Sequence, residues 1–429
     1  MVYRNKVYDV SGWHDHPGGA VIFTHAGDDF TDIFAAFHPP TAYAVLEPFY
    51  IGDLDDKSAA LKPTKQAAFE KAYRELRSKL LTMGLFNASM TYYVWKCVST
   101  MLVWAAAVAC VVFFEGFWMH MLGATIMALF WQQCGWLAHD FLHHQQVFKN
   151  RALGDAAGVY WGNLAQGFSV GWWKMKHNSH HAVPNLHESA PEAHDGDPDM
   201  DTMPLLAWSL DMARTAEESK LGRFMVGHQA LFYFPILLLA RISWALQSFF
   251  FVFDAIAFKS PWEVKSQHLE KKKMGLKEWE MAGLTGHYLW LAMLAWQMPA
   301  WHALCFVLAS QCITGLLLAL VFGLGHNGMA TYAASERPDF WKLQVTTTRN
   351  VTGSWLVHWF CGGLQYQVDH HLFPQIPRHN LPKVHTLVES FCRENGVSYH
   401  EASMWQGTVE VLQHLGQVSR DFISEFPAM

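Results

Sequence analysis

Hydrophobic and polar residues along this chain fall into blocks. Four apolar runs are long enough to cross about 30 Å of hydrocarbon as helices: Tyr93–Phe114, Phe117–Ala138, Ala282–Met298 and Trp301–Leu324. Only Glu115-Gly116 separates the first two, and only Pro299-Ala300 the last two, so each pair predicts a helical hairpin. A fifth apolar stretch, Phe224–Phe258, carries Arg241, Asp254 and many aromatics. A single crossing there would put the six lysines of Lys259–Lys277 outside, against the tendency of Lys and Arg to stay cytosolic. The two tight turns hold no Lys or Arg, as suits the outer side. The expectation is four spans, with Phe224–Phe258 at the cytosolic interface or in a shallow re-entrant hairpin. Both termini then lie in the cytosol.

The ends of the chain read differently. Residues 1–54 read as a small mixed α+β domain, with turn signals at His16-Pro17-Gly18-Gly19. Residues 55–90 are charged and helix-prone, a tether. Residues 91–429 hold all the apolar runs and form the membrane domain. Composition agrees with that division: 51% of residues are hydrophobic and only 16% charged, against roughly 25% in soluble proteins. Mean hydropathy is only +0.05, so large aqueous parts must accompany the spans. Residues 1–60 carry nine acids and three bases, a net of −6 that equals the whole chain's. An acidic head on a neutral body suits docking to a basic redox partner, and no nucleic-acid partner is expected. The seven cysteines form no CxxC pair and sit mostly in apolar runs, which predicts reduced thiols. The polar start MVYRNKVYDV is not a secretory signal.

Chemistry concentrates in the histidines, 25 in all. His16 opens the HPGG turn, and His38 follows a short acidic helix-forming stretch. Two neutral imidazoles on opposite faces of a porphyrin would make a low-spin electron-transfer iron. Further on, His139 and His143 are four apart at the end of the second span, and share one helix face. His177, His180 and His181 give three imidazoles on one face; Gln367, His370 and His371 repeat that spacing with an amide first. His326 stands where the fourth span ends. The span count puts all these groups on one side at one depth. Eight imidazoles there would repel if protonated and cost desolvation if unpaired. A metal answers both problems, and an open, nitrogen-rich site suits iron that binds O₂.

The segment from residue 5 to 54 resembles cytochrome b5 through HPGG and DDFTDIF…FHP. That resemblance implies His16 and His38 as axial ligands of haem b. Such domains carry a further strand and helix ahead of KVYDV, so this domain is expected to be N-terminally short. The boxes HDFLH, HNSHH and QVDHH, with GDPDMDTMPLLAWS and YQVDHHLFPQIPRHNL, resemble the membrane fatty acid desaturases over nearly the whole chain. The Gln-first third box and the fused b5 segment resemble the front-end members, which insert a double bond between an existing one and the carboxyl end. Δ6 acyl desaturases are the nearest match in these motifs. The resemblance implies an all-α four-span domain with a cytosolic helical cap, in the endoplasmic reticulum membrane. It also implies two non-haem irons on His139, His143, His177, His180, His181, His326, His370 and His371, with Gln367 direct or through water. Asp140, Asn178 and Asp369 are expected to orient imidazoles, and His144 to stand just outside the ligand set. His187, His194, His379 and His385 read as ordinary histidines, and the acidic loop Glu188–Asp201 as a candidate head-group mouth.

The implied reaction uses O₂, a fatty acyl chain on CoA or phospholipid, and electrons from NADH-cytochrome b5 reductase. Δ5 or Δ8 acyl desaturases and a sphingolipid long-chain-base desaturase share the same boxes, and a related hydroxylase would use them too. A metal transporter fits less well, because transporter ligands lie near the bilayer midplane.

Overall fold

The computed structural model describes residues 1–13, 16, 18–55, 64–188, 195–253 and 277–427. His194, Asp254 and the lysines from Lys259 to Lys273 lie outside the described residues. At the N-terminus, Arg4 and Asn5 both have positive φ, 49° and 62°. They close a two-residue turn of the kind that matches strand twist, between β1 (Val2–Tyr3) and β2 (Lys6–Tyr8). β2 pairs antiparallel with β3 (Tyr50–Asp53). Helix α1 (Thr31–Phe37) covers them. Tyr3, Tyr8, Val10, Phe30, Ile33 and Leu46 form the core of this domain, and that core runs on without a break into Ala182, Val183 and Leu186.

Polar clamps hold the same junction. Arg74 Nε is 2.7 Å from Asp32 Oδ1, Arg77 donates to the Ala35 carbonyl at 2.7 Å, and Arg337 pairs with Asp28. Two carboxylates of the acidic head are therefore engaged within the chain. The tether contains α2 (Thr64–Thr82). Its Phe69, Tyr73, Leu76 and Leu80 recur at helical spacing and are buried against Phe373, Val384 and Val388.

The membrane domain is helical. In chain order it contains α3 (Met90–Val112), α4 (Phe117–Leu142), α5 (Val170–Ala182), α6 (Gln229–Val252), α7 (Lys277–Ala295) and α8 (Ala300–His326). Next come the short α9 (Gln367–Leu372), then α10 (Leu381–Glu394) and α11 (Met404–Glu425). α3 and α4 form the expected hairpin, and α8 packs against both α4 and α6.

Among the described residues, α3, α6 and α8 are long and apolar enough to cross a membrane. α3 covers the expected span Tyr93–Phe114 as far as Val112, and α8 contains Trp301–Leu324. The expected span Phe117–Ala138 is also helical, in α4, and Ala282–Met298 is helical as far as Ala295, in α7, but these two helices are more polar. His120, Gln132 and Gln133 interrupt α4, and Glu278 and Glu280 open α7. The departure from expectation is α6, which lies in the stretch assigned to the interface yet meets the length and composition of a span. Arg241 and Asp254 made that stretch ambiguous, and the lysines that follow it argued against a crossing. Arg241 is buried, donates to the Gln166 carbonyl and lies 5.5 Å from the Trp131 ring centroid, so the bundle answers part of its charge internally.

Candidate metal centre and haem cavity

α4 continues past its apolar stretch by one turn, which puts His139 inside the helix and His143 at its C-terminal cap. α8 likewise carries its helix to His326. α5 starts at Ser169, whose hydroxyl accepts from the Trp172 amide, and its last turns present His177, His180 and His181. α9 follows Gly362 and Gly363, both at positive φ (63° and 105°). A Cβ on Gly363 would meet Arg378 Cβ at 2.7 Å, so glycine is what lets the chain turn α9 inward here.

These four elements bring all eight sequence-predicted histidines together, in two groups. His139, His143, His177, His181 and His370 offer ligand atoms within 4.8 Å of one another, and so do His180, His326 and His371. Within the first group, His143 and His177 Nε2 atoms are 2.8 Å apart, His177 and His181 3.1 Å, and His181 and His370 3.2 Å. In the second, His180 and His326 Nε2 atoms are 3.3 Å apart. The groups touch where His181 stacks on His371, centroids 4.1 Å apart. Gln367 places its amide 2.7 Å from His326 Nε2. Which amide atom faces the imidazole is set by the hydrogen-bond network, and a metal there would favour the oxygen.

The site's electrostatics suit a metal. All eight imidazoles are buried. Burial, followed by the neighbouring imidazoles, holds His177, His181, His370 and His371 well below the usual histidine range, so they stay neutral with lone pairs available. His139 Nε2, His371 Nε2 and the Gln367 side-chain oxygen are buried without a hydrogen-bond partner. Crowded lone pairs and orphaned acceptors are what metal ions would satisfy, and a di-iron pair fits this nitrogen-rich set. His180 differs. Burial opposes its charge, but the Asp197 carboxylate, 2.9 Å from Nδ1, outweighs burial and raises it to about 9.

Asp197 is a residue the sequence reading placed only in the acidic loop, and it fixes the His180 ring. Gln344 does the same for His371, its Oε1 accepting from Nδ1 at 2.9 Å. Asp197 could have been found in the run GDPDMD, whereas Gln344 has no local signal. The residues expected to orient imidazoles sit as follows. Asp140 Oδ1 is 3.6 Å from His139 Nδ1, but its main partners are Arg378 and the Tyr93 hydroxyl, the latter at 2.8 Å. Asp369 faces away from the two groups, accepting from Asn350 and Tyr399 at 3.0 Å and lying 3.4 Å from His385, which the sequence reading left as ordinary. His144, at φ 51°, sits 3.5 Å from Lys174 and 3.6 Å from Asp155. His144 and Asn178 line a cavity on the side facing the N-terminal domain.

That cavity, about 640 Å³, has His16 and His38 in one wall and His143 in the other. The His16 and His38 rings are 6.0 Å apart by centroid, room for one planar macrocycle between them. His16 Nδ1 donates to the Gly19 carbonyl at 3.1 Å and His38 Nδ1 to the Phe34 carbonyl at 3.2 Å. Both bonds put the ring proton on Nδ1 and the lone pair on Nε2, the form an axial ligand needs. A Cβ on Gly18 would strike the His16 ring at 2.7 Å, so the HPGG glycine makes room for that ring. Burial, followed by the His16 charge, lowers His38 to about 4. The apolar lining, with Val21, Ile22, Phe30, Ile33 and Leu46, suits a haem, whose iron would carry single electrons.

Known proteins match the same two units. Residues 1–55 match the cytochrome b5-like haem/steroid binding domain, and residues 116–403 match the fatty acid desaturase family. An acyl-lipid (9-3)-desaturase of Physcomitrium patens is 40% identical over 98% of this chain and 75% of its own length. A Delta(6)-fatty-acid desaturase of Caenorhabditis elegans is 33% identical over 93% of this chain and 91% of its own. A Delta(8)-fatty-acid desaturase of Helianthus annuus is 31% identical over 96% and 86%. With the histidine groups in place and both units on one polypeptide, the chain belongs to the fatty acid desaturases, as a membrane front-end desaturase fused to its own cytochrome b5-like domain.

Proposed function

We propose that this chain desaturates polyunsaturated acyl chains at Δ6, converting linoleoyl to γ-linolenoyl and α-linolenoyl to stearidonoyl. The two buried histidine groups carry the chemical part of this reading. His139, His143, His177, His181 and His370 are assigned to one iron, and His180, His326 and His371 to the other, with Gln367 beside His326. His16 and His38 are assigned to the haem. Bound iron supplies the O₂-derived oxidising power that removes hydrogen from two neighbouring methylenes. The chain's own residues fix the imidazoles, through Asp197 and Gln344, and exclude water by burial. No side chain has to act as nucleophile. NADH-cytochrome b5 reductase is the proposed electron source.

The Δ6 position rests on the motif likeness and on the relatives named Delta(6) and (9-3); the relative named Delta(8) keeps that regioselectivity as the second reading. Yeast expressing this chain and fed linoleic and α-linolenic acids is expected to accumulate γ-linolenic and stearidonic acids. Double bonds at Δ5 or Δ8, or in long-chain bases only, would replace the Δ6 reading with the corresponding one.

The proposed setting is the endoplasmic reticulum membrane, with α3, α4, α7 and α8 as four spans and both termini cytosolic. Support comes from the two ends of α6. Near one end, Tyr233 packs against Gly323 beside the last turn of α8; near the other, Ser248 accepts from the Ser169 amide ahead of α5. Both ends of α6 thus meet elements on the histidine side, as a helix lying across the bundle would. An N-glycosylation acceptor inserted into Lys259–Lys277 is then expected to stay unmodified, and its glycosylation would overturn this topology.

A further inference from the structure

α1 ends in Phe37, and the next residue is His38. The Phe37 ring meets the His181 ring edge-on, with centroids 6.1 Å apart and planes at 85°. His181 is central to the cluster. It contacts His177 and His370 in its own group and stacks on His371 of the other. One aromatic side chain therefore lies between the peptide bearing a haem-cavity histidine and a histidine at the junction of the two metal groups. Its position is fixed from several sides. Gln375, just past the third box, donates to the Phe37 carbonyl at 2.7 Å. The Arg77 bond to Ala35 and the Arg74 pair with Asp32 hold the same helix. His38 itself stacks on Phe34 at 4.5 Å.

We propose that Phe37 positions the haem domain for electron delivery, forming the packed crossing between the haem ligand loop and the metal centre of the same chain. The proposal rests on the histidine assignments above. Each transfer moves one electron: a haem iron goes from ferrous to ferric as one non-haem iron goes from ferric to ferrous. Two transfers reduce the pair, and no bond or proton changes hands. The reductant that resets the haem is a pyridine-nucleotide-linked flavoprotein in use, and dithionite in the test. Electron transfer weakens steeply across empty space, and a close-packed interior minimises that space. Deleting the ring leaves a gap that neighbours fill only partly.

The test uses the full-length protein, loaded with haem and iron, in lipid nanodiscs. Its haem is reduced with dithionite under anaerobic conditions and mixed with O₂ and an acyl substrate, and the decay of ferrous-haem absorption is followed. Phe37→Ala and Phe37→Leu are expected to slow that decay by roughly tenfold or more, and Phe37→Tyr to keep it within about twofold. Haem and iron per chain are expected to be retained in all three, and the haem midpoint potential, measured in each because Phe37 also lines the haem cavity, separates a change in driving force from a change in the crossing. Leucine fills most of the space without a ring, so it answers the question even where alanine disturbs folding. A Phe37→Leu decay within about twofold of the unaltered protein, with haem and iron retained, overturns the proposal. Absence of haem absorption or of iron from the unaltered protein would overturn the histidine assignments instead, and this proposal with them.

Discussion

Replacing His180 with alanine is expected to leave the chain in the membrane and abolish its product, with iron per chain falling sharply. His180 belongs to the smaller histidine group, where only His326 and His371 would remain. Its other nitrogen is tied to Asp197, so the ring's orientation is fixed for the role it is proposed to fill. Residues that merely orient a metal ligand cost about 10–100-fold in metal affinity or activity when removed, so loss of the ligand itself should exceed about 100-fold. Asp197→Asn supplies the graded comparison, with iron affinity falling within that 10–100-fold range. The raised His180 value adds a pH sign. Without metal, the ring holds a proton below about 9, so iron must displace that proton and loads less well as pH falls. Iron per chain and fatty acid profiles check all of this. Full activity in His180→Ala would sink the proposed ligand set.

Replacing His38 with alanine should separate the two cofactors. Haem absorption and NADH-driven turnover are expected to disappear, while iron per chain stays near its unaltered level. The reason is placement: His38 lines the haem cavity and belongs to neither histidine group. Its ring is held by the Phe34 carbonyl and by stacking on the Phe34 ring, so no side chain needs to move when it is removed. Loss of a bound group that stabilises only the folded state also lowers the melting temperature of the N-terminal domain. Haem and iron are counted separately on the purified chain. Full haem occupancy in His38→Ala would show that the haem iron takes its ligand elsewhere.

The histidine boxes were legible because a helix converts spacing into a shared face, and the hairpin pattern put those faces at one level. His326 was legible because α8 ends there, as α4 ends beside its own box. The supports were not. Gln344 reaches His371 and Arg378 reaches Asp140 from distant parts of the chain, and no local period reports such a pairing. Asp369 looked like a support because it stands beside His370, yet the turn of α9 sends its carboxylate to Asn350 and Tyr399. The apolar character of α6 was legible, but the partner of Arg241 was not. A charge in an apolar run reads as a cost, and only the fold reveals that Arg241 finds the Gln166 carbonyl. Two of the nine acids of the head, Asp28 and Asp32, are matched by arginines of the same chain, a pairing that a charge count does not reveal.

The histidines of the two groups reach from His139 to His371, so the cluster ties together segments that translation delivers far apart in time. Synthesis must pass His371 before any metal can find its full set of partners. Until then the newborn membrane domain holds only part of either histidine group. On the proposed assignment, a bound metal would fasten a long loop much as a cross-link would. A cell short of iron would accumulate chains that are inserted but unfastened, and such chains are natural prey for membrane quality control.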